Sequence, residues 1–416
     1  MSEAPADTDA GTSDRLFNRG FVGLLTYRHL AMLSYQIVGL TVGLHIWEIT
    51  GDLLALGLIG LAEVIPYFCF ALFAGYAVDH LPRRKLGMAA CLGLMINALV
   101  LAGVASGLLP SAGSLTIYCA IALGGVVRAF FAPVNMSLLA RVLRRDQFAR
   151  AAGVSSVNMQ TALVVGPALG GILVAAAGKT TAYLVAAALA LLAAIAVITI
   201  RVTEPPLPSE RAPVFKSIGE GLRFVFNHQI VLGAQALDMF SVLFGGAVAL
   251  LPAFISDVLH AGPFALGILR AAPAAGAVLV GLWLAKYPPQ RHAGRLLLWA
   301  VAGFGLCIIG FALSREFWIS ALMLLMSGMC DGVSVVLRST ILQLATPDHM
   351  RGRVSSINGI FIGSSNELGA FESGVAARLL GLVPSVVFGG CMTLLVVAST
   401  ARLAPRLRRL DLRELH

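Results

Sequence analysis

Nine ionisable side chains lie inside long apolar stretches of this 416-residue chain. A charged group in such surroundings can pair with an opposite charge, exchange a proton or contact a polar ligand. Six cysteines also lie in apolar segments, but no Cys-x-x-Cys or Cys/His spacing indicates a disulfide framework or a metal site. Binding and proton exchange are therefore the chemistry that these positions favour. The nine residues are Arg28, Glu63, Arg128, Asp238, Arg270, Asp331, Arg338, Glu367 and Glu372.

The composition indicates that the chain lies in a membrane. Hydrophobic residues make up 58% of it and charged residues 12%, whereas a soluble domain carries about 25% charged residues. The net charge is +9, but the basic residues lie between apolar runs, as membrane orientation requires, so they do not indicate nucleic acid. The chain lacks a Gly-x4-Gly-Lys-Ser/Thr segment, so ATP hydrolysis is not the expected energy source. These features predict a polytopic membrane protein that is no enzyme and uses no metal or cofactor.

Twelve apolar runs are long enough to cross a bilayer, which takes roughly 20 residues of helix. We therefore predict an all-α membrane protein with twelve transmembrane helices. These runs, numbered as spans 1 to 12, cover residues 22–48, 53–78, 86–108, 114–140, 150–177, 180–200, 230–255, 264–285, 294–313, 317–343, 352–380 and 383–403.

The longest polar interruption, 201–229, divides the spans six and six. It contains the letters EPPLP at 204–208 and continues with an apolar face at helical spacing, which predicts a linker followed by a helix on the membrane surface. The sequence thus predicts a disordered cytoplasmic tail over 1–20, six-helix bundles over 21–200 and 230–403, and a basic cytoplasmic tail over 404–416.

Basic residues are distributed unevenly between the two sides of the predicted spans. With both termini in the cytoplasm, the outer loops hold only Lys179, Arg315 and Arg378 of the 30 lysines and arginines. An excess of basic residues in cytoplasmic loops is the usual guide to orientation. We therefore predict a multi-pass protein of the inner (plasma) membrane with both termini in the cytoplasm, and we expect a monomer.

The two halves of the sequence repeat each other at corresponding places. The letters VSSVN at 154–158 begin span 5, and VSSIN at 354–358 begin span 11. In addition, GLAEVIP at 60–66 of span 2 parallels GILRAAP at 267–273 of span 8. Chance similarity is the alternative for either match alone, but two matches in corresponding spans indicate duplication. Parallel repeats of this kind are a transporter design with the substrate site between the halves, so we predict pseudo-symmetric bundles.

The loop between spans 2 and 3 contains a recognisable pattern, GYAVDHLPRRK at 75–85. It resembles the signature Gly-x-Leu-Ala-Asp-Arg-x-Gly-Arg-Lys of the major facilitator superfamily. Gly75, Asp79, Arg83 and Arg84 match that signature, whereas three other positions depart from it. An ordinary basic loop is the alternative interpretation.

The resemblance implies a cytoplasmic latch at this loop, because span 11 meets span 2 there in the superfamily. A helix start carries roughly half a positive charge. Arg351 and Arg353 add to the charge at the start of span 11, whereas Asp79 is negative. We therefore expect the four signature residues, with Arg351 and Arg353, to form a latch that is closed when the cavity faces outwards.

Span 5 carries a second pattern, formed by Gly153, Gly166, Pro167, Gly170 and Gly171. It resembles the antiporter motif of exporting members of the superfamily, with one glycine replaced by alanine. Glycines allow close helix packing and proline bends a helix, so generic packing of small residues is the alternative interpretation. The resemblance implies export rather than uptake.

From about residue 20 to 403 the chain is similar to the branch of the superfamily that includes the enterobactin exporter and macrolide-efflux proteins. Stretches such as GDLLALGLIGLAEVIP and LQLATPDHMRGRVSSIN carry this resemblance. It implies a secondary transporter that exports small amphipathic molecules, such as a drug, a siderophore or a related metabolite, by alternating access with proton antiport. An importer and a non-transporting membrane receptor on the same fold are the alternatives.

In the superfamily, spans 1, 4, 7 and 10 line the central cavity. The resemblance thus selects Arg28, Arg128, Asp238 and Asp331 as cavity or coupling candidates, and Arg338 lies in span 10 as well. Because Arg128 and Asp331 each follow a glycine by three positions in corresponding spans, we expect them to approach each other. They would form either a proton-sensitive pair or a static pair that orders the halves. Arg28 has the alternative role of extending to the membrane interface.

Overall fold

The computed structural model describes residues 17–109, 114–144, 147–200, 222–287, 292–347 and 350–411. Within these ranges every regular element is a helix. Residues 1–16 of the predicted N-terminal tail, 412–416 of the predicted basic tail and 201–221 of the predicted linker lie outside the described residues. Residues 222–227, at the end of the linker region, are helical, and Val225 is buried against residues of the second half.

The helices begin and end within a few residues of the predicted spans, because each crossing needs a long apolar run. In chain order they are α1 Arg19–Thr50, α2 Leu53–His80, α3 Arg83–Ala105, α4 Leu115–Val142, α5 Phe148–Thr199, α6 Gln229–Phe244, α7 Leu251–Asp257, α8 Pro263–Lys286, α9 Ala293–Leu313, α10 Phe317–Ala345, α11 Arg351–Leu380, α12 Leu382–Leu403 and α13 Pro405–Arg408. Helices α1 to α4 correspond to spans 1 to 4, and α8 to α12 correspond to spans 8 to 12.

Helix α5 contains two crossings. It is 52 residues long, more than twice the length of roughly 20 residues that one crossing needs. Gly178 interrupts it with φ 80° and ψ 173°, a conformation open to glycine but strained for other residues. Spans 5 and 6 therefore meet at Gly178, at the boundary that the sequence predicted.

Span 7 differs from its prediction as one helix over 230–255. After α6, Gly245 and Gly246 are non-helical, and a 3₁₀ turn over Ala247–Leu250 leads into α7. Glycine has a low helix propensity, and the backbone at Gly246 packs closely on α11. A Cβ there would stand 2.7 Å from the Ser373 Oγ. Span 7 is therefore a discontinuous crossing.

Ten helices of the described residues are long and apolar enough to cross a membrane. One of them, Arg150–Thr199, holds both crossings of α5. Helix α11 is also long enough, at 30 residues, but its polar residues keep it out of that set. The described helices thus provide the twelve crossings that the sequence predicted.

The crossings form two bundles. Helices α1 to α5 pack mainly on one another, as do α6 to α12, and the halves meet chiefly through α2 with α11 and α5 with α8. A Cβ at Gly60 would stand 2.5 Å from the Glu367 carbonyl oxygen, and one at Gly267 would stand 2.8 Å from that of Pro167. These are aligned positions of the repeat, so the two interfaces are related by pseudo-symmetry. The predicted all-α fold of two pseudo-symmetric bundles is confirmed.

We call the end of the molecule that carries the chain ends the terminal end and the opposite end the distal end. At the terminal end, Asn18 Nδ2 donates to the Val142 carbonyl (3.2 Å), and Gln229 Nε2 donates to the Leu403 carbonyl (3.3 Å). Both bonds tie helix ends together within one half.

Hydrophobic packing differs between the two ends. At the distal end one core draws buried residues from both halves, including Leu44 and Ile46 from the first half and Phe254 and Phe311 from the second. In the described ranges, the other clusters each draw residues from a single half. The halves are therefore joined by shared apolar packing at the distal end.

Candidate functional site

A cluster of charged side chains lies where α1, α2, α4 and α11 meet. The Arg128 Nη1 donates to Glu63 Oε1 (2.7 Å), to Glu367 Oε1 (2.5 Å) and to the Tyr35 hydroxyl (3.2 Å). The Tyr35 hydroxyl also donates to Glu63 Oε1 at 2.5 Å. We call these four residues the charge cluster. It joins the halves, because Arg128 and Glu63 belong to the first and Glu367 to the second.

Neighbouring aromatic and glycine residues determine the position of the Arg128 side chain. The Arg128 Cζ lies 5.6 Å from the ring centre of Tyr35 and 5.4 Å from that of Tyr67, which is the range of a cation–π contact. One turn earlier, Gly125 lies against the Glu63 carbonyl, only 2.3 Å from where a Cβ would stand. The glycine thus brings α4 close enough to α2 for Arg128 to reach Glu63.

Arg270 on α8 lies beside the charge cluster without joining it. Its Nη1 donates to the Gly39 carbonyl at 3.1 Å, and the side chain is half-buried. Among the described residues it forms no ion pair, and the carboxylates of Glu63 and Glu367 act on it only at longer range. An unpaired charge within a membrane bundle is expensive and usually functional. Arg270 is therefore a candidate position for binding an acidic group.

Asp238 and Arg338 form an ion pair that joins α6 to α10 inside the second half. Their side chains are only 7% and 5% exposed. The sequence named both as cavity or coupling candidates, and the structure buries them against each other. Their part in coupling stays a prediction.

The expected approach of Arg128 to Asp331 is not found in this structure. Arg128 instead binds Glu63 and Glu367. Asp331 is half-buried on α10 and forms no hydrogen bond or ion pair with any residue that the structure describes. The charge that Arg128 meets from the second half thus comes from α11 rather than from α10.

The positions of α4 and α10 along the direction across the membrane explain why Arg128 does not meet Asp331. Gly125 lies against the carbonyl of Glu63, whereas Gly328 lies against the carbonyl of Pro273, 1.9 Å from where a Cβ would stand. Pro273 aligns in the repeat with Pro66, three residues beyond Glu63. Arg128 and Asp331, which follow these two glycines by three positions, therefore lie about one helical turn apart along the direction across the membrane.

The asparagines of the repeated VSSVN and VSSIN stretches each form a hydrogen bond to the first crossing of their own half. Asn158 Nδ2 on α5 donates to the Leu25 carbonyl of α1 at 3.2 Å. Asn358 Oδ1 on α11 accepts from Gln235 Nε2 of α6 at 2.8 Å. Because α1 and α6 begin the two halves, the repeat preserves one contact between the first and fifth crossings of each bundle.

The signature residues lie on helix ends rather than in a loop. Helix α2 continues to His80, so Gly75 and Asp79 belong to its last turns. The surroundings of Gly75 and the side chains of Asp79, Arg351 and Arg353 lie outside the described part of the structure, the last two at the start of α11. The latch therefore stays a prediction.

Three other predicted residues are described. Arg83 begins α3 and is buried, with 5% exposure. Arg84 Nη1 donates to the Ile200 carbonyl at 3.0 Å and so ties α3 to the end of α5. Arg28 is half-buried on α1 and forms no hydrogen bond within the described ranges. None of the three contacts the charge cluster.

The glycine pattern of span 5 sets the packing of α5 on two neighbours. A Cβ at Gly166 or Gly170 would stand 2.6 Å or 3.4 Å from atoms of α1, and one at Gly171 would stand 2.8 Å from the Gly267 Cα of α8. Gly153 faces open space. The later glycines of the pattern thus pack against α1 and across the interface between the halves.

Sequence reasoning selected spans 1, 4, 7 and 10 and so passed over Glu63, Arg270 and Glu367. All three belong to the nine ionisable residues in apolar stretches. Glu63 and Arg270 also occupy the same place in the aligned letters GLAEVIP and GILRAAP. A charge at equivalent positions of a repeat was the signal that could have found Glu63 and Arg270. No such signal marked Glu367, Tyr35 or Tyr67.

Comparison with known proteins agrees with this architecture. The model of the Major Facilitator Superfamily matches residues 24–370. The enterobactin exporter EntS of Citrobacter koseri is 25% identical over 395 residues, covering 90% of this chain and 91% of that protein. EntS of Escherichia coli O81 is 26% identical over 396 residues, covering 91% and 92%.

Solved structures show the same fold. A bacterial homologue of the human lysosomal transporter Spinster, in an inward-facing and unoccupied conformation, has a TM-score of 0.71 at 15% identity, with 95% of this chain and 97% of that chain covered. A POT family transporter in complex with 5-aminolevulinic acid has a TM-score of 0.72 at 11% identity, with 94% and 96% covered.

Proposed function

The chain belongs to the Major Facilitator Superfamily, and from this premise we propose that it is a secondary exporter of small amphipathic molecules, driven by proton antiport. The similarity to enterobactin exporters supports export, because it extends over about nine tenths of both chains. The close packing of α5 on α8 at Gly171 and Gly267 supports it further, since the span 5 glycine pattern resembles that of exporters.

The observation that carries the proposal is the charge cluster that joins the two halves. Alternating access moves the bundles against each other around a central site. Arg128 therefore loses or changes its contact with Glu367 of the opposite half during each cycle. A proton on Glu367 neutralises the carboxylate and weakens this contact, so proton binding shifts the equilibrium between the two arrangements of the halves.

The distal end supports an assignment of the conformation. Trp47 Nε1 donates to Ser256 Oγ at 2.8 Å, and Arg378 Nη1 donates to Asp52 Oδ2 at 3.5 Å, both between the halves. With the termini in the cytoplasm, as the distribution of basic residues favours, this closed end faces outwards. The structure is then closed towards the outside, as it must be while an exporter takes up its substrate from the cytoplasm.

Arg270 narrows the class of substrate. Its guanidinium has five N–H donors in a planar arrangement that fits acidic oxygens, and one of these donors binds the Gly39 carbonyl. Tyr35 and Tyr67 place aromatic faces near the same point, around Arg128. We therefore propose that the exported molecules combine an acidic group, bound by Arg270, with an apolar or aromatic body.

The test uses everted membrane vesicles from cells that overproduce the protein, so that export appears as uptake into the vesicle. Enterobactin, erythromycin and ethidium are supplied outside while the vesicle interior is made acidic. We expect gradient-driven uptake of enterobactin, the acidic member of the set, and none in vesicles without the protein. Uptake driven from the opposite side would indicate an importer, and binding without flux in either direction would indicate a receptor.

Variants separate coupling from substrate binding. Glu367→Gln is expected to remove the dependence of uptake on the pH gradient, because glutamine cannot exchange the proton.

Arg270→Gln is expected to raise the half-saturating substrate concentration about tenfold or more, since a hydrogen bond to a charged group contributes about 1.5–3 kcal/mol. Glu316→Gln is the control, because this side chain is exposed before α10. Wild-type coupling in Glu367→Gln would contradict the proposed role of the charge cluster.

A further inference from the structure

A cavity of about 500 Å³ lies on the side of the second half, near the terminal end. It is formed between α9, α12 and the chain segment that follows α12. Three arginines line it, Arg295, Arg408 and Arg409, together with the indole of Trp299. Its remaining lining is apolar and includes Ala302 and Val397. The cavity therefore combines a concentrated positive charge with an apolar wall, and it is separate from the charge cluster.

The segment after α12 is folded back so that its arginines reach this cavity. Leu407 and Leu410 are 0% and 3% exposed and pack in the core of the second half. The backbone N–H of Gly294, at the start of α9, donates to the Leu410 carbonyl at 3.3 Å. Because the two leucines are anchored inwards, the two residues between them, Arg408 and Arg409, lie exposed beside the first turn of α9.

The three guanidinium groups are exposed, and among the described residues none of Arg295, Arg408 and Arg409 takes part in an ion pair. Like charges held together repel one another, and an anion with several oxygens relieves that repulsion. A phosphate group offers such oxygens, and arginine binds phosphate with paired hydrogen bonds.

The depth of the apolar wall points to a lipid rather than a soluble anion. Arg295 lies in the first turn of α9, and Trp299 lies one turn deeper, about 6 Å further along the helix axis. Trp299 is 75% exposed, as is usual for tryptophan at the interface between membrane and water. Ala302 and Val397 continue the surface towards the membrane centre.

We propose that this cavity binds an anionic phospholipid of the surrounding bilayer. The phosphate lies between the three arginines, the glycerol region lies beside Trp299, and an acyl chain lies on the apolar wall. Basic pockets between transmembrane helices at the cytoplasmic side are suited to such headgroups. The proposal is independent of the transported substrate, because it concerns the outer face of the second half.

Native mass spectrometry of the purified full chain in detergent tests the proposal. Dioleoyl-phosphatidylglycerol and dioleoyl-phosphatidylcholine are titrated separately, with inorganic phosphate as a third arm. We expect at least tenfold tighter binding of phosphatidylglycerol than of phosphatidylcholine. Arg408→Gln is expected to weaken phosphatidylglycerol binding about fivefold, from the usual contribution of one basic residue near anionic lipid.

Two matched variants serve as controls. Arg406→Gln removes an arginine of the same short segment that is also exposed but does not line the cavity. Trp318→Ala removes an indole at the distal end that is 75% exposed, as Trp299 is. We expect Trp299→Ala to weaken phosphatidylglycerol binding and both controls to leave it unchanged.

Three outcomes would overturn the lipid site. Equal affinity for the two phospholipids would show that the arginines do not select an anion. Equal effects of Arg408→Gln and Arg406→Gln would place the lipid elsewhere. Displacement of phosphatidylglycerol by millimolar inorganic phosphate would show that the cavity binds a soluble anion and needs no acyl chain.

Discussion

At the scale of single residues, the structure separates two kinds of charge inside the membrane region. Asp238 and Arg338 belong to the same half and are almost completely buried. In contrast, Arg128 is 29% exposed and binds a carboxylate from each half. A pair within one bundle keeps its partners when the bundles move, whereas a pair between bundles does not. We therefore propose that the first pair contributes to stability, and that the second pair changes during the proposed transport cycle.

The Asp238–Arg338 pair leads to a stability prediction. Asp238→Leu or Arg338→Met alone is expected to lower stability by about 3–5 kcal/mol, because each leaves the opposite charge buried without a partner. The double variant is expected to recover most of that loss, since it removes both charges. Thermal unfolding of the detergent-purified protein measures both effects. Single variants as stable as the wild type would contradict the buried ion pair.

At the scale of elements, glycines determine how closely the halves approach. Gly171 and Gly267 bring α5 and α8 into backbone contact, and Gly57 and Gly374 do the same for α2 and α11. A Cβ at Gly57 would stand 2.8 Å from the Gly374 Cα, and one at Gly171 would stand 2.8 Å from the Gly267 Cα. Small residues at helix interfaces are the general device for such approach in membranes. These two contacts therefore hold the bundles together on opposite sides of the central site.

Helix α8 offers a matched pair of glycines for testing this idea. At Gly267 a Cβ would stand 2.8 Å from the Pro167 carbonyl oxygen, whereas at Gly281 nothing lies within 4 Å. Gly267→Ala is expected to cost about 1–3 kcal/mol of stability through overpacking and to reduce transport. Gly281→Ala is expected to change neither. Thermal unfolding and vesicle flux are measured for both, and equal behaviour of the two variants would contradict the interface.

At the scale of the whole molecule, a pseudo-symmetric fold has ends that are not alike. The distal end shares one hydrophobic core between the halves, and Trp47 and Ser256 are hydrogen-bonded across it. The clusters described at the terminal end belong to single halves. Alternating access requires the distal contacts to separate in part of the cycle.

Cross-linking across the distal end is therefore expected to stop transport. In a variant without the six native cysteines, Trp47→Cys and Ser256→Cys are joined by a short cleavable thiol reagent. Flux in vesicles is expected to fall to background and to return after reduction. Glu48→Cys with Lys179→Cys is the control, because this ion pair lies at the same end within the first half. Full transport by completely cross-linked Trp47→Cys/Ser256→Cys protein would show that this end need not open.

The sequence alone determined the crossings, their division into halves and the repeat. Each of these features depends on local composition, since about 20 apolar residues specify a crossing and the basic residues between crossings indicate its orientation. The boundary between spans 5 and 6 at Gly178 followed as well, whereas the pairing of α2 with α11 was expected only from the resemblance to the superfamily. The interruption at Gly245 and Gly246 did not, because its cause is close packing on α11.

Only the tertiary structure decided which charges meet. Arg128 lies 65 residues from Glu63 and 239 from Glu367, and all three stood among the nine charges found in the sequence. The choice between Glu367 and Asp331 as partner depends on the depth and rotation of each helix in its bundle. One helical turn moves a side chain by about 5.4 Å, more than the length of a hydrogen bond. The depth of each helix is determined by packing between residues that are far apart in the sequence. No local sequence pattern therefore predicts it.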